Sequence, residues 1–178
     1  MNDAQSLEFT PPFEYRRDDY LISSDRSLLH FDVIHAYLER SYWSPGITRA
    51  LVEKAARHSL CFGAYQLADG ENSPIQMQLQ VGYARVITDF ATFAYLADVF
   101  ILPTHRQQGL GVWLIDCIVN CPAIDGIRSF LLATRNAHDL YRKFGFEIPT
   151  DPRRLMIKRY EMAWYNPAMV EETNARSR

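Results

Sequence analysis

One handover between two periodicities constrains this chain more than any other feature. Leu96-Ala-Asp-Val-Phe-Ile-Leu102 is an apolar run rich in strand formers. Pro103 ends it, because proline brings no N–H to a ladder and fixes its own φ. After Thr104-His-Arg-Gln-Gln-Gly-Leu-Gly111, apolar residues recur at steps of three and four: Trp113, Leu114, Cys117, Ile118 and Cys121. That period predicts a helix with one buried face, running to Cys121 and stopped by Pro122. Gly109 and Gly111 therefore sit where a strand becomes a helix. The first N–H groups of such a helix have no partner within it, and the positive end of its dipole points outward. Such a terminus suits an anion, phosphate first. The plain alternative is a glycine-rich turn without a ligand.

Two familiar phosphate loops do not fit. The P-loop needs Lys and then Ser or Thr after its second glycine, and Val112-Trp113 stands there. The dinucleotide fingerprint needs a third glycine, which is missing. What remains is Arg106-x-x-Gly109-x-Gly111 after a strand ending in Val-Phe-Ile-Leu-Pro. A second motif lies downstream, Thr134-Arg-Asn-Ala-His-Asp-Leu-Tyr-Arg-Lys-Phe-Gly-Phe146. Together, in this order and at this separation, the two segments resemble the GNAT family of N-acetyltransferases. That family carries Arg-x-x-Gly-x-Gly in its acetyl-CoA loop. It commonly carries Asn-x-x-Ala-x-x-Leu-Tyr-x-Lys-x-Gly-Phe later. Ala137, Leu140, Tyr141, Lys143, Gly145 and Phe146 fall in register, and Thr134 stands at the Asn position. The likeness is specific over about residues 96 to 146.

The resemblance implies an acetyl-CoA-dependent N-acetyltransferase working by direct attack in a ternary complex, without a covalent acyl-enzyme. It implies that the backbone of Phe100, Ile101 and Leu102 pairs with the pantetheine arm, on a strand splayed from its parallel neighbour. It implies a diphosphate held by Arg106, Gln107, Gln108, Gly109, Leu110, Gly111 and Val112, with Thr134, Ala137 and Tyr141 beside the cofactor. Tyr141 is then the acid for the departing thiolate. Asp98 is the only acid between Phe90 and Leu102. It is either the general base or a structural, hydrogen-bonded carboxylate. The family's commoner position for a base is occupied by Leu96. By strand alternation Asp98 faces the same side as Leu96 and Phe100. Tyr42, Trp43, Tyr83 and Arg85 are candidates for the acceptor pocket, with Arg85 suited to a substrate carboxylate. The acceptor is a small-molecule or protein amine, and pairing into a homodimer is a further family expectation. The alternative is a CoA-binding sensor that turns nothing over.

In chain order, residues 1–18 read as a loose arm or short edge segment. Tyr20–Ser23 reads as a strand. Asp32 is placed as N-cap of a helix bearing Val33, Ile34, Tyr37 and Leu38, ending near Ser41. Tyr42 to Gly46 is a turn, followed by a helix from Thr48 to His58. Strands are expected at 60–67, 76–88 and 92–102, with a polar hairpin loop at 69–74 and a tight turn at Thr88-Asp89. A short strand at 127–133 precedes a helix from Asn136 to Phe144, capped by Gly145. A closing strand is expected at 156–164, then a frayed tail from 167. The fold class is α+β, three layers around a mixed, mostly antiparallel twisted sheet, as one domain.

Composition narrows the function classes. The 178 residues carry a formal net charge of −2, which offers no basic surplus for nucleic acid. No apolar run approaches a membrane span. Residues 1–6 lack the basic start and apolar core of a signal peptide. Cys61, Cys117 and Cys121 are odd in number and lie in apolar runs, so they read as reduced core thiols of a cytoplasmic protein. Cys117 and Cys121 share a helix face, but no further ligand joins them at metal-site spacing, and no metal is expected.

Overall fold

A computed structural model describes residues 12–67, 78–158 and 160. Its frame is a six-stranded sheet: β1 (Glu14–Arg17), β2 (Tyr20–Ser23), β3 (Leu60–Leu67), β4 (Gln78–Thr88), β5 (Phe93–Ile101) and β6 (Ser129–Leu132). The strands lie side by side in chain order. The first four pairings are antiparallel, and only β5–β6 is parallel. Parallel neighbours need a crossover, and helix α3 (Leu110–Val119) supplies it. The other helices are α1 (Phe31–Leu38), α2 (Arg49–Arg57) and α4 (His138–Arg142). The fold is therefore α+β with a mixed, mostly antiparallel sheet.

Two apolar clusters cover the two faces of the sheet. Leu110, Leu114, Ile115 and Ile118 of α3 pack with Phe62, Val81, Ala84, Val86, Ala94, Leu96 and Ile101, and Tyr141 of α4 joins them. On the opposite face Ile34 and Leu38 of α1 and Val52 and Ala56 of α2 pack with Cys61, Tyr83 and Phe100. The i, i+4 spacing of each helical pair puts both residues on one side of its helix, which is why these helices lie flat on the sheet.

The structure departs from the sequence reading in several places. Of the two readings of the N-terminal segment, residues 14–17 take the edge segment, since Glu14 to Arg17 pair with Ser23 to Tyr20. α1 starts two residues earlier than a cap at Asp32 requires, with His30 at the cap, so Asp32 lies in the first turn and favours the helix dipole instead. α3 ends at Val119, and Cys121 precedes a short 3-10 turn begun by Pro122. α4 is shorter than expected, although Gly145 does take the left-handed conformation, φ 80°. Met156 to Lys158, expected to begin a closing strand, are irregular and exposed. Tyr160 is likewise irregular and exposed, and the other residues of 159–164, the tail from 167 and the 69–74 loop lie outside the described residues. The Thr88-Asp89 turn is present. The Asp89 carboxylate accepts the Thr92 hydroxyl at 2.6 Å, and this bond first, then the N–H groups of Phe93, Thr92 and Ala91, hold its carboxyl well below the usual range.

Candidate functional site

The site begins where β5 leaves β6. Their pairing runs from Phe93–Ser129 to Leu96–Leu132 and stops there, while β5 continues to Ile101. On the other side of β5 the ladder is irregular at the same height. Tyr83 pairs with Phe100 and Arg85 with Ala97, so two steps along β4 match three along β5. The extra residue is absorbed at Asp98, which has φ 56°. A bulge of this kind needs a left-handed residue, and aspartate is among the non-glycine residues that tolerate it. The bulge bends β5 away and opens an edge of unpaired backbone.

Which peptide groups face that opening follows from one hydrogen bond. Leu102 donates its N–H to Val81 O at 2.7 Å. Peptide groups alternate along a strand, so Leu102 and Phe100 point toward β4, while Val99 and Ile101 point into the opening. Of Phe100, Ile101 and Leu102, expected on that edge, Ile101 points its peptide groups into the opening together with Val99, while Phe100 and Leu102 face β4. Asp98 in the strand interior was the available signal, since aspartate is depleted in strands but accepted in bulges.

The bulge also overturns the facing of the side chains. Leu96 lies in the α3 cluster and Phe100 in the α1–α2 cluster, so they occupy opposite faces. Asp98 sits on the α1–α2 face. Its Oδ2 accepts from Arg85 Nε at 2.5 Å, and its Oδ1 accepts from Trp43 Nε1 at 3.3 Å. Arg85, expected to await a substrate carboxylate, is instead committed to Asp98 and to Ser59 Oγ at 3.3 Å. Tyr83 is a core residue, 1% exposed, with its hydroxyl 3.1 Å from Cys61 Sγ. Burial above all pushes both groups upward in pKa, and neither Tyr83 nor its partner reaches the opening.

Below the opening lies the glycine loop. Gln107 and Gly109 both have positive φ, 63° and 75°. Gly109 is the N-cap of α3. Among the described residues, no backbone N–H from Gln107 to Val112 finds a protein acceptor. Such a run of unpaired N–H groups in alternating backbone conformation forms a concave donor surface for an anion. A Cβ at Gly111 would approach only Ile101 Cγ1, at 3.9 Å, so the loop is open on that side. Arg106 does not lean over this surface. Its Nε donates to Ile101 O at 3.0 Å and its Nη2 to Tyr37 Oη at 2.9 Å, while Tyr37 stacks on Phe100 at 3.9 Å. Sequence reasoning missed Tyr37 as a partner of the loop, because the two are 69 residues apart.

The opposite wall comes from the second motif. Thr134 Oγ1 accepts the Ala137 N–H at 3.1 Å, so threonine caps this turn from the motif's first position. Tyr141 is 8% exposed, and its hydroxyl has no hydrogen-bond partner among the described residues. Burial first, and the neighbouring Tyr42 second, push its pKa up to about 12. Tyr42 joins this wall to the turn between α1 and α2: its hydroxyl accepts the Arg135 N–H at 3.3 Å, and the Arg135 guanidinium lies 4.1 Å from its ring centre. Trp43 packs edge-on against Tyr42 at 4.9 Å and is 37% exposed. No group of three or more potential metal ligands occurs among the described residues.

Comparison with known proteins bears on the family and the fold. A family model described as an acetyltransferase (GNAT) domain matches residues 67–148. A Gibberella zeae protein named as an acetyltransferase is 35% identical over 150 residues, covering 77% of this chain and 84% of that one. A crystal structure from Xanthomonas campestris pv. campestris, described as belonging to the GNAT family, shares 45% identity over 80% of this chain and 93% of its own, with a TM-score of 0.70. A Staphylococcus aureus structure at 22% identity and TM-score 0.56 covers 79% of this chain and 99% of its own, and shows the fold alone.

Proposed function

The chain belongs to the GNAT family of acetyltransferases, and we propose that it moves the acetyl group of acetyl-CoA to a primary amine by direct attack in a ternary complex. The observation that carries this reading is the parting of β5 from β6 directly above a loop of unpaired N–H groups. The opening offers the Val99 N–H and C=O and the Ile101 N–H to an amide-bearing arm, the Ile101 C=O being held by Arg106 Nε. The loop from Gln107 to Val112 offers donors to a diphosphate, and Gly109 supplies the backbone conformation it needs. Acetyl-CoA would supply the thioester: the amine nitrogen attacks its carbonyl carbon and the C–S bond breaks. An N–H of Val99 or Ile101, aimed at the carbonyl oxygen, stabilises the charge that builds there.

Two protons must be placed. The amine sheds one and the departing thiolate gains one. Tyr141 is protonated at neutral pH, given a pKa pushed up to about 12, and its hydroxyl is spare. A thiol ordinarily titrates near 8.5, so full transfer from Tyr141 is uphill. Its contribution is therefore a hydrogen bond to the sulfur as charge develops. Asp98 is the carboxylate at the bulge, and it receives the amine proton or orients the amine. Trp43, Tyr42 and Tyr37 form the aromatic side of the acceptor space. The alternative, a CoA-binding sensor, has one observation in its favour: both Asp98 oxygens already accept hydrogen bonds.

Thiol release from acetyl-CoA, followed with a chromogenic disulfide across a panel of primary amines, tests the proposal. Amine-dependent release above hydrolysis supports the transferase. Tight CoA binding with no release for any amine would favour the sensor.

A further inference from the structure

The N-terminal hairpin, read from the sequence as an arm, is docked on the glycine loop. Tyr20 donates its hydroxyl to Gln108 Oε1 at 2.8 Å, and its ring meets His105 edge-on at 6.5 Å. Arg17, one residue before the β1–β2 turn, lays its guanidinium over the Trp113 ring at 4.5 Å. Trp113 lies in the first turn of α3. From there Arg17 Nη2 would stand 3.9 Å from a Cβ at Gly109, the left-handed N-cap of the loop. Among the described residues Arg17 forms no ion pair with a carboxylate. Asp18 and Asp19 of its own turn are exposed and do not hold it. A half-buried cation without a carboxylate thus borders the donor surface, while Arg106 is tied to Ile101 and Tyr37.

We propose that Arg17 is the side-chain cation that meets the diphosphate of the CoA donor, with Trp113 as the residue that positions it. This rests on the acetyl-CoA reading above. The physical reason is complementarity. The loop supplies neutral N–H donors and a dipole, and a guanidinium adds a full charge with donors in a fixed plane. Stacking on Trp113 holds that plane and reduces the rotamer freedom lost on binding. Arg106 serves the same site differently, as a positioning residue joining the end of β5 to α1.

The test is calorimetric titration of the full chain with CoA and with 3′-dephospho-CoA, for the wild type, Arg17→Gln, Arg17→Lys and Trp113→Leu. Loss of a charge-assisted hydrogen bond predicts a roughly 10- to 100-fold weaker affinity in Arg17→Gln. The loss is the same for both ligands, since both carry the diphosphate. Trp113→Leu gives a smaller loss in the same direction. Arg17→Lys keeps the charge without the stacked plane and recovers part of the affinity. It also carries the test should Arg17→Gln fail to fold. Affinity within twofold of wild type in Arg17→Gln overturns the proposal, as does an unchanged affinity in Arg17→Lys if Arg17→Gln does not fold. A loss confined to CoA also overturns it, because it moves Arg17 to the 3′-phosphate. A wild type that binds neither ligand refutes instead the underlying acetyl-CoA reading.

Discussion

Removal of the Arg85 guanidinium tests the most unusual electrostatic feature of the site. Arg85 and Asp98 form an ion pair at 2.5 Å, with side-chain exposures of 17% and 9%. Arg85→Met keeps the apolar stem and leaves the Asp98 carboxylate with one long bond, from Trp43 Nε1 at 3.3 Å. Breaking a buried pair by removing one partner costs about 3–5 kcal/mol. Residual solvent contact places this pair at the lower end, about 3 kcal/mol. In a chain of this size that lowers Tm by roughly 6–12 °C, at about 2–4 °C per kcal/mol. The double variant Arg85→Met/Asp98→Asn removes the orphaned charge. Asparagine is chosen because φ 56° at this position tolerates it better than alanine. The double variant is expected within about 1 kcal/mol of wild type, about 2 kcal/mol more stable than Arg85→Met alone. Thermal and urea unfolding followed by circular dichroism would measure all three proteins. Arg85→Met within about 1 kcal/mol of wild type would refute the reasoning, as would a double variant no more stable than Arg85→Met, since either means that Asp98 is already solvated.

Other perturbations probe the Tyr141 hydroxyl, the contact of β4 with β5 and the buried titratable groups. Tyr141→Phe keeps the ring packing and removes the donor, so turnover should fall by about 100-fold with CoA affinity little changed; full activity would make the hydroxyl structural. Gly82→Val places a Cβ 2.5 Å from Ile101 Cδ1 and 2.9 Å from Phe100 O, so β4 must shift. A loss of roughly 1–3 kcal/mol in urea is expected, and a neutral result would mean that the crossing is looser than described. Burial raises Cys117 from 9.0 to about 12 and Tyr15 and Tyr141 from 10.0 to about 12. Each group holds its proton longer when folded, so its contribution is whole below the unfolded value and is lost as pH rises through the folded one. The urea midpoint should therefore hold from pH 7 to about 9 and fall between about 9 and 12. Cys117→Ala should blunt the first part of that fall, and an unaltered curve would show that the thiol is not the group responsible.

The most local features were the most legible. The glycine loop is readable because a strand ending at Pro103 and a helix beginning after Gly109 are written in one stretch of chain, and unpaired N–H groups follow from helix geometry alone. Thr134, Ala137 and Tyr141 are readable for the same reason, since their spacing lies within one turn and one short helix. Periodicity also placed α2 and the buried face of α3, because each buries one side against the sheet, whereas β3 was legible as an apolar run buried on both faces.

What sequence alone determined, then, was the kind of chain this is: an α+β fold with a phosphate-ready loop between a strand and a helix. Tertiary structure decided what the side chains near that loop do. The extra residue at Asp98 exists only as a mismatch between β4 and β5, and it turned Phe100 to the face opposite Leu96. It also brought Asp98 onto Arg85 and turned Val99 toward the opening. Arg106 reaches Tyr37, and Arg17 reaches Trp113, across intervals that no local pattern spans. A strand's period states which residues share a face only while the ladder is regular. Where one residue is inserted, the partner strand sets the register, and the facing of every later side chain follows from it.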